Sequence, residues 1–263
     1  MGRIVTEQDG AVGRLTIEAP ERLNAVDAAM LDDLAESVRR LAATDGVRVI
    51  ALTGAGRGFC SGASLDAITG PATEVGGDTL AGVSRAIGAI TGSTVPVVAL
   101  VNGVAAGLGC SLALACGYVL ATESASFMLA FTRIGLMPDG GATALVAAHI
   151  GRARALRMAL TAEKVSARTA ADWGLVAESC PDDVFAERSA ELLAELAAGP
   201  TRALAATVAA VNAGSLADLD AALTREETGQ SRLFTEPDFA EGVAAFTERR
   251  PAHFEGRAAP AAG

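Results

Sequence analysis

Three stretches of small residues carry the first chemical signal. They are Gly54-Ala55-Gly56-Arg57-Gly58-Phe59-Cys60-Ser61-Gly62-Ala63-Ser64-Leu65, Asn102-Gly103-Val104-Ala105-Ala106-Gly107-Leu108-Gly109-Cys110, and Gly135-Leu136-Met137-Pro138-Asp139-Gly140-Gly141. Glycine lets main chain approach a ligand closely and can leave N–H groups unpaired for it. Each stretch taken alone is also readable as a tight turn. Gly58-Phe59-Cys60-Ser61-Gly62 imitates a nucleophile elbow with cysteine at its centre, yet only His149 and His253 could act as its base, and neither stands in a triad setting. Gly54, Gly56 and Gly58 miss the GxGxxG spacing, and no acid follows at the right point of a βαβ unit, so a nicotinamide-dependent oxidoreductase would rest on this loop alone. Asp139 is a favoured N-cap type ahead of a helix beginning at Gly140.

The elements around these loops alternate. Val12 to Ile17 has period two and reads as a strand. Asp27 can cap a helix whose apolar positions Met30, Leu31, Leu34, Val38 and Leu41 recur at helical spacing. Residues 47–52 and 95–101 read as buried strands, each running into a glycine loop, with a helix at 77–92 between them and another near 107–116. Short strands are predicted at 118–121 and 126–129, then helices at 141–150, 152–160, 166–173, 183–198, 201–212, 216–231 and 237–249. A βα-alternating core followed by helices is an α/β chain, in which loops at the carboxyl ends of strands are where ligands sit. The residues after 257 read as a frayed tail.

With 263 residues, 51% apolar and 20% charged, the chain can bury a core of ordinary size. A net charge of −10 argues against nucleic acid or an anionic membrane as partner, and an anionic ligand would need a local basic patch. The four cysteines (Cys60, Cys110, Cys116, Cys180) show no metal or disulfide spacing and read as reduced thiols in a cytoplasmic protein, with no metal site expected. The first residues lack a signal pattern, Thr6 alone fits a myristoylation template, and no apolar run approaches the ~20 residues that cross a bilayer.

Taken in order, the loops resemble the motifs of the enoyl-CoA hydratase/isomerase (crotonase) family. The run from Gly58 to Leu65 is similar to that family's "G-[KR]-x-F-[CS]-[AS]-G-x-D-L" signature, and Leu23-Asn24-Ala25 to its first-strand exit. Val95 to Gly103 is similar to "K-P-V-I-A-A-V-N-G", Gly107-Leu108-Gly109-Cys110 to the turn after it, and Gly135 to Gly141 to "G-L-x-P-D-G-G". Ala171 to Val176 and Glu241 to Pro251 are similar to two later family elements, so the resemblance spans residues 5–256.

The resemblance implies an α/β fold with a crotonase-like ββα spiral core (residues 1–195) and a C-terminal helical trimerisation region (196–263). It implies an acyl-CoA thioester as substrate, coenzyme A being part of that substrate and no separate cofactor being needed, and a homotrimer or dimer of trimers. It places an oxyanion hole on the backbone N–H groups of Ala63 and Leu108, and substrate contacts on Arg22, Ala25, Ser61, Ser64, Leu65, Ser111, Phe131 and Met137. The two glutamates of family hydratases fall here on Ser111 and Phe131, neither of which exchanges a proton as a carboxylate does. Asp139 matches the catalytic carboxylate of one isomerase branch, with Phe131 and Met137 expected as an apolar wall that raises its pKa. The resulting expectation is double-bond migration by a single aspartate. Hydration by non-standard groups, a non-catalytic acyl-CoA binder, and nucleophilic attack by Asp139 on an aryl thioester stand as alternatives. Arg22 is implied near the CoA phosphates, and Arg249, Arg250 and Arg257 as a basic patch. Ser64 and Gly117 depart from the aspartates that relatives usually carry. Trp173 and His149 are expected to be packing residues.

Overall fold

The computed structural model describes residues 2–64 and 75–256; Leu65, Arg257 and the tail 258–263 lie outside the described residues. The chain begins with a hairpin, β1 (Arg3–Asp9) against β2 (Val12–Glu18), turned at Gly10 with φ 55°. β1 was not predicted from the sequence, because most of it faces solvent and its residues show no alternation. The helix α1 (Ala28–Ala42) follows as expected: the Asp27 carboxylate accepts from Met30 N–H at 3.0 Å, and Met30, Leu31, Leu34, Val38 and Leu41 are all buried.

Three turns of a spiral then form, each giving one strand to a large sheet, one short strand to a small sheet, and a helical segment. The first is β3 (Val49–Gly54), β4 (Gly58–Cys60) and α2 (Val75–Thr91). The second is β5 (Val97–Val101), β6 (Val104–Ala106) and α3 (Leu108–Ala115). The third is β7 (Tyr118–Thr122), β8 (Ser126–Met128), a 3-10 turn at Ala130–Ile134 and α4 (Ala142–Thr161). With β9 (Val165–Ser166) and β10 (Glu178–Cys180), the large sheet runs β1-β2-β3-β5-β7-β10 and the small one β4-β6-β8-β9. This is the crotonase-like ββα spiral that the motifs implied. Where 141–150 and 152–160 were predicted separately, α4 passes through a non-helical Gly151 (φ 75°, ψ 161°).

The central strands β3, β5 and β7 of the large sheet are buried on both faces, which explains why they read as continuous apolar runs. Ile50, Leu52, Val97 and Ala99 belong to the main core, while Val49, Ala51, Val98 and Leu100 pack against Leu192 and Leu193 of α6 (Phe185–Ala198). α5 (Ala167–Trp173) precedes β10, and α6 is continuous across 195 and 196. The chain closes with α7 (Thr201–Ser215), α8 (Leu219–Leu233) and α9 (Pro237–Glu248). α8 turns Leu219, Ala222, Leu223, Glu226 and Gln230 inward, so its buried stripe is apolar at one end and polar at the other. Among the described residues no helix is long and apolar enough to cross a membrane.

Two asparagines hold the first glycine loop. Asn24 is fully buried in the left-handed region (φ 60°); its Nδ2 donates to Gly58 O (2.7 Å) and Ala55 O (2.9 Å), and its Oδ1 accepts from Ala19 N–H (2.9 Å). Asn102 Nδ2 donates to Gly54 O (2.8 Å) and Gly56 O (2.9 Å), and its Oδ1 accepts from Gly54 N–H (3.2 Å). Asn24→Ala would leave the buried Ala19 N–H and the half-buried Ala55 O unpaired, leave Gly58 O with only the longer bond from Asn102 Nδ2 (3.3 Å), and put a residue without a polar side chain at positive φ. The expected loss is about 3 kcal/mol of folding stability, read by urea unfolding. A loss below about 0.5 kcal/mol would show that the loop holds itself.

Candidate active site

The first and second glycine loops meet backbone to backbone. A Cβ on Gly109 would fall 2.1 Å from Cys60 O, and one on Gly103 would fall 2.2 Å from Arg57 O, so neither position accepts a side chain. At Gly62 (φ +110°) a Cβ would lie 3.1 Å from Ala106 O and 3.5 Å from Leu108 N, which puts the Gly62–Ala63 link beside the start of α3.

The two N–H groups singled out by sequence sit on either side of this junction. Val26 N–H donates to Gly62 O (2.9 Å) and Ser64 N–H to Val26 O (2.7 Å), a one-residue parallel bridge centred on Ala63. That pairing turns the Ala63 N–H to the opposite edge. Leu108 is the first residue of α3, where a helix offers its own N–H groups no partner and its dipole favours negative charge. Neither the Ala63 nor the Leu108 N–H finds a hydrogen-bond acceptor among the described residues.

Arg22, Ala25, Ser61 and Ser64 gather on the Ala63 side. Ser61 Oγ donates to Arg22 O (3.0 Å), Arg22 Nη1 donates to Ser64 Oγ (3.3 Å), and Ala25 is buried behind them. Arg22 is half-buried and also lies 3.4 Å from Glu21, so its charge is shared. Leu65, expected next to this group, is outside the described residues. On the Leu108 side, Phe131 is buried with its ring edge 3.8 Å from where a Gly107 Cβ would stand. Ser111 is fully buried and donates to the Asp139 carbonyl at 2.8 Å, which anchors the third loop one turn into α3.

Asp139 is buried, and its two carboxylate oxygens differ. Oδ2 accepts from Gln230 Nε2 at 2.9 Å, while Oδ1 is buried without a hydrogen-bond partner among the described residues. Burial pushes its pKa up to about 7; the Gln230 donor pulls it down and the nearby Glu226 charge pushes it up again. The capping reading is corrected here. α4 has Gly141 as its N-cap, and the groups that cap it come from Glu226 of α8, which accepts from Gly141 N–H (2.6 Å), Thr143 N–H (2.8 Å) and Thr143 Oγ. Asp139 is thus released from helix capping. Met137 N–H donates to Gln230 Oε1 (3.2 Å), and the Met137 sulfur lies against Gly229.

Glu226 and Gln230 were missed in the sequence. Their signal was there: both stand at helical spacing from Leu219 and Leu223, polar residues on an apolar stripe. The elbow reading fails, because Cys60 is fully buried and burial drives its thiol pKa up to about 12. His149 is half-buried, with Nδ1 2.7 Å from Leu145 O in its own helix. Trp173, as expected, packs against the main core at the end of α5; it is half-buried, with the guanidinium groups of Arg154 and Arg157 over its ring at 5.1 and 5.6 Å. In the expected basic patch, Arg250 is held by Glu241 and Glu248, and Arg257 is outside the described residues.

Comparison with known proteins places this geometry among relatives. The family model for enoyl-CoA hydratase/isomerase matches residues 7–257. A probable enoyl-CoA hydratase of Rhodobacter capsulatus is 45% identical over 92% of this chain and 94% of its own length. The 1,2-epoxyphenylacetyl-CoA isomerase of Escherichia coli K12 is 36% identical, covering 97% and 98%. The crystal structure of an enoyl-CoA hydratase from Mycobacterium avium subsp. paratuberculosis superimposes with a TM-score of 0.89 at 44% identity, over 95% of this chain and 98% of that one.

The raised pKa of Asp139 has a consequence for stability. The folded carboxyl titrates near 7 and the unfolded one near 3.8, so between those values the folded state holds the extra proton and stability falls as pH rises. Above pH 7 the buried charge is fully present, at a cost on the order of 4 kcal/mol at most. Asp139→Asn removes that charge, so the variant should gain stability over the unmodified chain at pH 8 and little at pH 4. Paired thermal melts at the two pH values measure this, and equal differences at both would show that Asp139 titrates normally.

Proposed function

Because the chain belongs to the enoyl-CoA hydratase/isomerase family, we propose that this acyl-CoA enzyme shifts a carbon–carbon double bond within an enoyl-CoA thioester, with Asp139 as its only proton carrier. The observation that carries the reading is the Asp139 carboxyl: buried, relieved of helix capping, and bearing one unpartnered oxygen beside the start of α3. In this reading the thioester oxygen accepts from the Ala63 and Leu108 N–H groups. Asp139 takes a proton from the carbon next to the carbonyl, and the electron pair passes into a dienolate whose charge rests on that oxygen. The same proton returns to the far carbon of the migrating double bond, which restores the carboxylate. Each backbone donor in such a hole is typically worth about 2.7–4 kcal/mol of transition-state stabilisation. Arg22, Ala25, Ser61, Ser64 and Leu65 are proposed to line the thioester side, and Ser111, Phe131 and Met137 the acyl side.

Hydration is the second reading, favoured by the name of the relative at 45% identity. It needs one group to activate water and another to deliver a proton. Ser111 is committed to the Asp139 carbonyl, Phe131 has no proton to exchange, and Glu226 is committed to the start of α4. Isomerisation of an acyl-CoA, rather than hydration, is supported by the relative at 36% identity, which is named an isomerase of 1,2-epoxyphenylacetyl-CoA. We also propose a homotrimer or dimer of trimers. Leu160 (71% exposed), Phe246 (66%) and Val211 (60%) supply apolar surface for such contacts.

Turnover of a 3-enoyl-CoA should yield the 2-enoyl-CoA, with kcat/KM falling as pH drops below about 7 and the carboxylate is protonated. Asp139→Asn should lower turnover by about 10²–10⁴-fold while CoA-ester binding stays near normal. A 3-hydroxyacyl-CoA as the main product, or full turnover by the variant, would sink the reading. In light scattering, three or six times the 26.4 kDa chain mass is expected, and a monomer at micromolar concentration rules the assembly out.

A further inference from the structure

Gln230 is fully buried on α8 and spends both ends of its amide on the third loop. Its Oε1 accepts from Met137 N–H and its Nε2 donates to Asp139 Oδ2, across separations of 93 and 91 residues in the chain. The orientation of the amide is fixed by chemistry: a backbone N–H only donates, so the oxygen must face Met137 and the NH2 must face Asp139. The two contacts straddle Pro138, and rotating the Asp139 carboxyl would break one of them.

We infer that Gln230 is a positioning residue that grips the Asp139 carboxyl by Oδ2 and thereby reserves Oδ1 as the atom that takes and returns the proton. The inference rests on Asp139 being the proton carrier of the proposed reaction. An oxygen already facing an N–H donor cannot also carry a proton directed at that donor. The transferable proton therefore sits on Oδ1, which is buried and unpartnered.

The surroundings leave this task to Gln230. Glu226, one turn earlier on α8, is the charged group that acts on Asp139, and it disfavours the carboxylate. Its own oxygens are occupied by Gly141 and Thr143, and the adjacent Arg225 pairs outward with Asp218. From α3, Ser111 touches only the Asp139 carbonyl. Gln230 is thus the one side-chain donor to the Asp139 carboxyl among the described residues. It opposes both burial and Glu226, keeping enough carboxylate present near neutral pH to accept a proton.

The test compares kcat and kcat/KM against pH for the unmodified protein, Gln230→Glu and Gln230→Leu on a 3-enoyl-CoA, with Asp139→Asn alongside. Gln230→Glu keeps size and an acceptor for Met137 N–H; Gln230→Leu removes the amide altogether. In both, the apparent pKa governing kcat/KM should rise by one unit or more. At pH 6 each unit lowers the rate about tenfold, and activity should recover at alkaline pH with KM changed less than about threefold. Profiles that superimpose on the unmodified one, or a uniform drop at every pH, overturn the inference and leave Gln230 a packing residue. Failure of both variants to fold also counts against it, since it would assign Gln230 to holding the chain together. If Asp139→Asn keeps full turnover, the proposed reaction itself fails. If that variant is inactive and the Gln230 profiles do not move, only the role of Gln230 is lost.

Discussion

The site depends on two loops approaching closer than side chains allow. Gly109 against Cys60, Gly103 against Arg57 and Gly54 against Gly58 are contacts in which a Cβ would stand about 2 Å from a carbonyl oxygen. No rotamer relieves a clash of that kind, because Cβ and carbonyl both belong to the rigid frame. The closeness is what sets the Gly62–Ala63 link, in one loop, beside the start of α3. Asn24 and Asn102 complete the arrangement by giving the crowded carbonyls donors, so that backbone folded this tightly away from water is not left unpaired. The ββα spiral supplies the rest: each turn delivers a loop at the carboxyl end of a large-sheet strand, and successive turns stack those loops side by side.

A second constraint follows from burying a carboxyl at the third loop. A helix N-terminus so close would ordinarily recruit the nearest acid as its cap. Here the cap comes from Glu226, far along the chain, and the Asp139 carboxyl is left, among the described residues, with Gln230 as its partner. Both residues project from α8, so the C-terminal helices do more than cover the core. α9 adds to this by seating Gly242 on Ile134, a contact no larger residue could make without moving the 3-10 turn that carries Phe131.

The legible and illegible parts of the sequence divide along physical lines. Buried strands of five or six apolar residues, the Asp27 cap and the stripe from Met30 to Leu41 carry their periods within one segment, so they could be read directly. β4 and β6 have three residues each, too few to show alternation, and β1 faces water along most of its length. The loop motifs announced close backbone approach because glycine is needed for a local backbone reason. Gln230 and Glu226 lay inside a correctly expected helix, as polar residues on its apolar stripe. What they bond could not be read, because their partners lie 83 to 93 residues away and only the fold brings them together. The same distance explains the corrected cap: Asp139 was the nearest acid in sequence, and Glu226 is the nearest one in space.

The chemistry proposed for Asp139 bears on why so buried a charge is tolerable in an acidic protein. In the proton transfer, the carboxylate becomes neutral as the thioester oxygen becomes negative. The site therefore holds one negative charge throughout, moved from Oδ1 to the cradle and back. A constant total charge spares the surroundings any large reorganisation, and in the proposed reaction the charge arrives at the N–H groups of Ala63 and Leu108, which find no acceptor among the described residues. A carboxyl near pH 7 is also better matched to a weakly acidic carbon than one near 4, since the proton then moves between groups of less unequal basicity. A second carboxylate at Ser111 or Phe131 would break this balance. Glu226 and burial both push the Asp139 pKa up, so another buried acid would push it further and leave less carboxylate at neutral pH.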